Sequence, residues 1–192
     1  NKNEGGYLMS LFQTLKPKPK NSGSTCLLLD VSASMDSIVS SEEPGYYPRR
    51  IELLFKAVRE TPECSGLKPY TFSDRCEPIE VIPDESAALN YRTTGGTDLA
   101  RAFTSVKAAG FYSAILVTDG EPDSEANALE AAYGMKLGII YIGNPPIPLF
   151  LQTLAKVTDG TFAIADMTQI KQLENAIIAA LPPPKGEEVI KL

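Results

Sequence analysis

Hydrophobic and polar positions along this chain follow two alternating periods. Thr25-Cys26-Leu27-Leu28-Leu29 and Ala114-Ile115-Leu116-Val117 are short, almost unbroken apolar runs, the pattern of strands buried on both faces. Lys68 to Phe72, Cys76 to Ile82, Leu137 to Ile142 and Thr161 to Ile164 read as four further strands. Between them apolar residues recur at helical spacing. Ile51, Leu54, Phe55 and Val58 line one face of Arg49 to Glu60; Leu99, Ala102, Phe103 and Val106 follow Asp98; Ile170, Leu173, Ile177 and Leu181 line a final helix. Ser124 to Tyr133 and Pro148 to Val157 supply two more helices. Thr97 or Asp98 is expected to cap the helix that follows it, and Asp166 or Thr168 the last one. Ser73-Asp74-Arg75 is too short to join parallel strands, so the strands on either side of it must pair antiparallel. Elsewhere strand and helix alternate with short links. This predicts an α/β domain: a doubly wound, mostly parallel sheet with one antiparallel edge strand and helices on both faces. Residues 24–181 form that domain. Residues 1–23, with Leu8, Leu11, Phe12 and Leu15 at the spacing of a short helix, read as a flexible leader, and residues 182–192 as a loose tail.

Two of the buried strands run straight into acidic residues. The first ends in Asp30-Val31-Ser32-Ala33-Ser34, which places oxygens at every second position. In an extended turn these would project to one side and aim at one point. Carboxylate and hydroxyl oxygens are hard ligands, suited to Mg²⁺ or Mn²⁺ rather than Zn²⁺. The plainer alternative is that the serines cap the next helix and Asp30 caps a turn. The second such strand ends in Thr118-Asp119-Gly120. Between the two lies Gly95-Gly96-Thr97-Asp98, where paired glycines allow a tight turn or a close approach to something bound. In parallel sheets ligands bind at the carboxyl ends of strands where strand order reverses, and Asp30 and Asp119 are both predicted there. The irregular loop from Met35 to Pro48 borders the same end and carries Tyr46 and Tyr47, either as contact residues or packed on the domain.

Composition narrows the classes of function. The net charge of −6 and pI near 4.8 argue against a general nucleic-acid or anionic-membrane binder. No apolar run approaches the ~20 residues that span a bilayer, and no signal peptide is visible; the expectation of a reducing cytoplasmic location rests on cysteine usage. Three cysteines suit a reducing compartment, with a Cys64–Cys76 bridge as the alternative. The chain has no histidine, which excludes Ser-His-Asp and Cys-His catalysis and His-ligated zinc.

Asp30-Val31-Ser32-Ala33-Ser34, Gly95-Gly96-Thr97 and Thr118-Asp119-Gly120 together resemble the three-loop pattern of the von Willebrand factor A (vWA) domain family. Order, spacing and strand context agree over residues 24–181. The resemblance implies the Rossmann-like vWA fold and a metal ion-dependent adhesion site. Asp30, Ser32 and Ser34 would form its first loop, Thr97 its second and Asp119 its third. It further implies a resident Mg²⁺, with Mn²⁺ or Ca²⁺ as substitutes, and a protein partner that completes the ion's shell with a Glu or Asp carboxylate. Met35 after Ser34 resembles the bacterial and archaeal intracellular branch, whose members often act as adaptors in ATPase-linked or stress-response complexes. Repulsion between Asp30 and Asp119 in the ion-free chain leads to the expectation that Asp119→Ala relieves it.

The function expected is therefore a metal-dependent protein-interaction module and not an enzyme. One alternative is an adaptor domain whose metal lies away from the interface. A remoter one is a Mg²⁺-dependent phosphoryl-transfer or hydrolytic enzyme. A haloacid dehalogenase-like phosphatase needs an aspartate two residues after the nucleophile, where this chain has Ser32. A receiver domain needs a lysine on a late strand, and Leu137 to Ile142 and Thr161 to Ile164 have none. No Gly-Lys-Ser/Thr phosphate loop occurs.

Overall fold

The computed structural model describes residues 24–40 and 45–181; the expected leader and tail lie outside them. Six strands form one sheet: β1 (Thr25–Asp30), β2 (Lys68–Phe72), β3 (Cys76–Pro78), β4 (Ser113–Thr118), β5 (Lys136–Tyr141) and β6 (Thr161–Ile164). Their order is β3-β2-β1-β4-β5-β6, parallel throughout except for β2 against β3. Strand β1 lies at the centre, with Leu28 opposite Tyr70 on one side and Leu116 on the other. The chain winds outward from β1 in both directions, so the order reverses between β1 and β4.

Among the described residues six helices cover the sheet: α1 (Arg50–Glu60), α2 (Glu85–Leu89), α3 (Leu99–Ala108), α4 (Glu125–Ala131), α5 (Leu149–Val157) and α6 (Ile170–Ala180). The period of two along β1 divides its side chains between two cores. Leu27, Leu29 and Val31 join Ile115, Val117 and Ile140 beneath α1 and α6, meeting Ile51, Leu54, Phe55, Leu173 and Ile177. Cys26 and Leu28 join Leu116, Leu137 and Ile139 beneath α3, α4 and α5, meeting Phe103, Val106, Ala128, Leu151 and Leu154. Full burial of side chains of this size contributes about 1.5–3 kcal/mol each. Those contacts hold the carboxyl end of β1 in place between two packed layers.

Several local expectations change. Strand β3 stops at Pro78 rather than Ile82: Ile79 N–H still donates to Pro69 O at 3.0 Å, but Pro69 has no N–H to return the bond, and Val81 is exposed. Helix α2 has no counterpart in the sequence reading; Asp84 caps it, accepting from the Ala87 N–H at 2.8 Å. Asp98 caps α3 as expected, accepting from Arg101 N–H at 2.9 Å. Neither Asp166 nor Thr168 caps α6, which starts at Ile170 after Gln169. Asp166 instead closes a turn on Thr168, accepting from its N–H at 2.9 Å and from its hydroxyl at 2.8 Å. Cys26, Cys64 and Cys76 are free thiols. Burial pushes their pKa values up, to about 12 for Cys26 and about 11 for the other two, so none is a ready nucleophile.

Candidate metal centre

The carboxylate of Asp30 is fully buried and held by two donors. Ser32 N–H donates to Oδ1 at 2.8 Å and the Thr118 hydroxyl donates to Oδ2 at 2.5 Å, which ties the end of β1 to the end of β4. After Val31 the chain does not stay extended. It enters a short 3₁₀ turn, Ala33–Asp36, anchored by fully buried Met35. Ser32 occupies the cap position of that turn, yet its side chain makes no capping bond. Its hydroxyl lies 3.0 Å from that of Ser34, and Ser34 Oγ donates to Asp119 Oδ1 at 2.6 Å. Convergence of the three first-loop oxygens therefore comes from a turn and not from extended backbone. Of the plainer alternative only the turn at Asp30 holds.

The second loop is clasped by two carboxylates absent from the candidate site read in the sequence. Gly96 N–H donates to Asp74 Oδ1 at 2.8 Å, and Thr97 N–H donates to Asp123 Oδ1 at 3.0 Å. A Cβ on Gly95, whose φ is +76°, would stand 2.1 Å from Asp74 Oδ2; one on Gly96 would stand 2.6 Å from the Asp123 carboxylate. The glycine pair thus admits neighbouring side chains of this same chain. Backbone bonds join the loops: Ala33 N–H to Gly95 O at 3.2 Å, and Asp123 N–H to Thr97 O at 3.1 Å. Thr97 is buried, and its hydroxyl lies 3.6 Å from where a Cβ on Gly120 would stand, which places it beside the third loop. All five candidate residues are thus gathered where strand order reverses, four of them in one hydrogen-bonded chain.

A sixth residue joins them. Arg50, the first residue of α1, donates from Nη1 to Asp119 Oδ2 at 2.5 Å, with the Asp119 side chain fully buried and that of Arg50 10% exposed. Both Asp119 oxygens are therefore engaged, one by Ser34 and one by a guanidinium. Sequence reading missed Arg50 because its partner is 69 residues away and its own position reads only as a helix start.

Burial above all pushes the Asp30 carboxyl up to about 6, against the hydrogen bonds from Ser32 and Thr118, which lower it; the charge on Asp119 adds to the rise. The folded chain then holds this proton more tightly than the unfolded chain does. The resulting stability is full below about pH 4 and is lost as pH rises through about 6, on the order of 3 kcal/mol in all. In chelator, Asp30→Asn should flatten this part of the curve of unfolding free energy against pH. Equal pH dependence in the two proteins would remove Asp30 as its source.

The donor set is two carboxylates and three hydroxyls. Among the described residues no three His, Cys, Asp or Glu side chains gather, so at this place the hydroxyls would have to supply the donors beyond the two carboxylates. The oxygens fit a hard divalent ion, and the guanidinium on Asp119 marks the place as one where a cation is stable.

No protein-family model matches the chain, and no curated protein sequence matches it. Solved structures do. Manganese-loaded TRAP protein of Plasmodium vivax superposes with a TM-score of 0.57 at 19% identity, over 83% of this chain and 72% of that one. A von Willebrand factor type A protein from Catenulispora acidiphila gives 0.57 at 18% identity, over 82% of this chain and 42% of that one. The ArnB paralog VWA2 from Sulfolobus acidocaldarius gives 0.54 at 18%, over 84% and 44%. The chain thus spans less than half the length of the last two. At these identities the likeness is one of fold, and the fold of this chain is that of the vWA domains.

Proposed function

We propose that the chain is a metal-dependent protein-interaction module, not an enzyme, that binds a Glu or Asp side chain of a protein partner at Asp30, Ser32, Ser34, Thr97 and Asp119. The observation that carries this reading is the hydrogen-bonded chain at the sheet's reversal point, from Asp30 to the Ser32 N–H and from the Ser32 hydroxyl through Ser34 to Asp119, with Thr97 alongside. The manganese in the TRAP protein structure supports a divalent ion in a fold of this kind. A bound Mg²⁺, or Mn²⁺ or Ca²⁺ in its place, would supply double positive charge and an exchangeable position for an incoming carboxylate.

The chain's own residues do the rest. Asp30 and Asp119 offset the ion's charge, and the hydroxyls of Ser32, Ser34 and Thr97 add neutral donors. Asp74 and Asp123 hold the second-loop backbone so that Thr97 stays against Gly120. Val39 N–H bonds to Pro48 O at 2.8 Å, and Tyr46 and Tyr47, 42% and 70% exposed, are taken as partner-contact residues. No described helix is long and apolar enough to cross a membrane. Three free thiols and the acidic charge fit a cytoplasmic module that leaves nucleic acid and membranes alone.

Arrays of Glu- and Asp-containing peptides, each beside its Gln or Asn counterpart, test this reading when probed with Mg²⁺ and with chelator. Binding should need both the ion and the carboxylate. Thr97→Ala should weaken it by a kcal/mol or more, the scale of one contact to a charge. Replacing Tyr46 and Tyr47 with serine should weaken peptide binding and leave the Mg²⁺-dependent rise in melting temperature intact. Loss of both responses together would make the tyrosines part of the fold. Peptide binding at full strength in chelator would favour the adaptor reading, with the interface elsewhere.

A further inference from the structure

Arg50 is badly placed for a structural cation. It begins α1, where the helix dipole is positive, and its side chain is nearly buried. Burying a guanidinium there is costly unless a carboxylate faces it, and the one it reaches is Asp119. Its neighbour Arg49 does the structural joining instead. Arg49 donates to Asp36 and Glu52 and to the carbonyls of Ala88, Leu89 and Tyr91, tying α1 to α2 and to the first loop. Arg50 therefore bonds into the candidate centre, whereas none of these Arg49 bonds goes to its five residues.

Arg50 also lines a cavity of about 480 Å³ between residues 38–40, which follow the first loop, and the carboxyl ends of β5 and β6. Ile38, Gly143, Asn144 and Asp166 line it too. The guanidinium thus has an open volume to enter, one that offers a second carboxylate at Asp166.

We infer that Arg50 is a tethered cation that competes with the divalent ion for Asp119 and so sets the ion affinity of the site. This inference rests on the metal-binding reading above. In the ion-free chain Arg50 offsets the charge of Asp119, which keeps two buried aspartates from repelling each other. Loading an ion puts three positive charges against two negative ones unless Arg50 withdraws, and the cavity provides the room. Removing the guanidinium should then have opposite effects on two quantities: the ion-free protein loses stability, while the ion binds more tightly. A merely structural arginine would weaken both.

The test is titration of the full chain with Mn²⁺, read by the paramagnetic resonance of the free ion, with melting temperatures measured in chelator. Wild type, Arg50→Gln and Arg50→Lys are compared. Arg50→Gln should bind Mn²⁺ at least tenfold more tightly while melting lower in chelator. Arg50→Lys keeps a charge but reaches less well, so it should fall between wild type and Arg50→Gln in affinity, and it carries the test if Arg50→Gln does not fold. Wild-type binding with unchanged or weaker affinity in the folded variants would overturn the role of Arg50 and leave the metal centre standing. Absence of Mn²⁺ binding in all three would overturn both.

Discussion

Asp119→Ala should melt below the wild type even when no divalent ion is present. The substitution leaves the Arg50 guanidinium nearly buried without its carboxylate, and breaking a buried pair from one side costs about 3–5 kcal/mol. For a domain of this size that lowers the melting temperature by about 6–20 °C. The same variant should lose the Mg²⁺-dependent rise, which in the wild type is expected to be about 2.7 kcal/mol at a hundredfold excess over the dissociation constant. Charge repulsion with Asp30, considered alone, leads to the opposite expectation for the ion-free protein. The ion pair reverses it, because the relief of one repulsion at a distance is smaller than the loss of a direct contact. Thermal melts in chelator decide the matter, and Asp119→Ala combined with Arg50→Met should recover part of the loss. An ion-free Asp119→Ala at or above the wild type would show that the pair contributes nothing.

The second large effect lies far from the charges. Gly160→Ala should destabilise the domain by roughly 3 kcal/mol or more, because a Cβ there would stand 1.7 Å from the Leu137 carbonyl oxygen. That oxygen belongs to β5, which is buried on both faces and cannot yield as a flexible side-chain tip would. To make room the link into β6 must shift, and with it the register of Gly138 against Thr161. Denaturant unfolding of the variant checks this. A midpoint within error of the wild type would mean that the β5–β6 edge is looser than its contacts indicate.

How far these features were legible in the sequence depends on their range. Leu27-Leu28-Leu29 identified the central strand because a strand buried on both faces must be apolar at consecutive positions. The antiparallel pair followed from the length of one turn, and the meeting of Asp30 with Asp119 from the rule that links reversal of strand order to ligand sites. Local chemistry was read less well. Ser34 reaches its place through a 3₁₀ turn whose anchor, Met35, looks like any apolar residue in an irregular loop. Helix α2 is five residues long and alanine-rich, which leaves no measurable period. Arg50, Asp74 and Asp123 were missed for one shared reason. Each acts on a residue brought near by tertiary packing, 69, 22 and 26 positions away, and a single charge carries no spacing signal. The paired glycines were the one hint of Asp74 and Asp123, since a backbone stripped of side chains must face something that approaches closely.

The central claim is that one divalent ion sits between Asp30 and Asp119. Substoichiometric Mn²⁺ added to isotope-labelled protein tests it most directly, because the ion broadens the amide signals nearest to it. Ser32, Ser34, Thr97 and Gly120 should broaden first, and the effect should vanish in Asp119→Ala. Broadening centred instead on Asp74 and the outer face of the second loop, or no selective broadening with Mn²⁺ at millimolar concentration, would contradict the account.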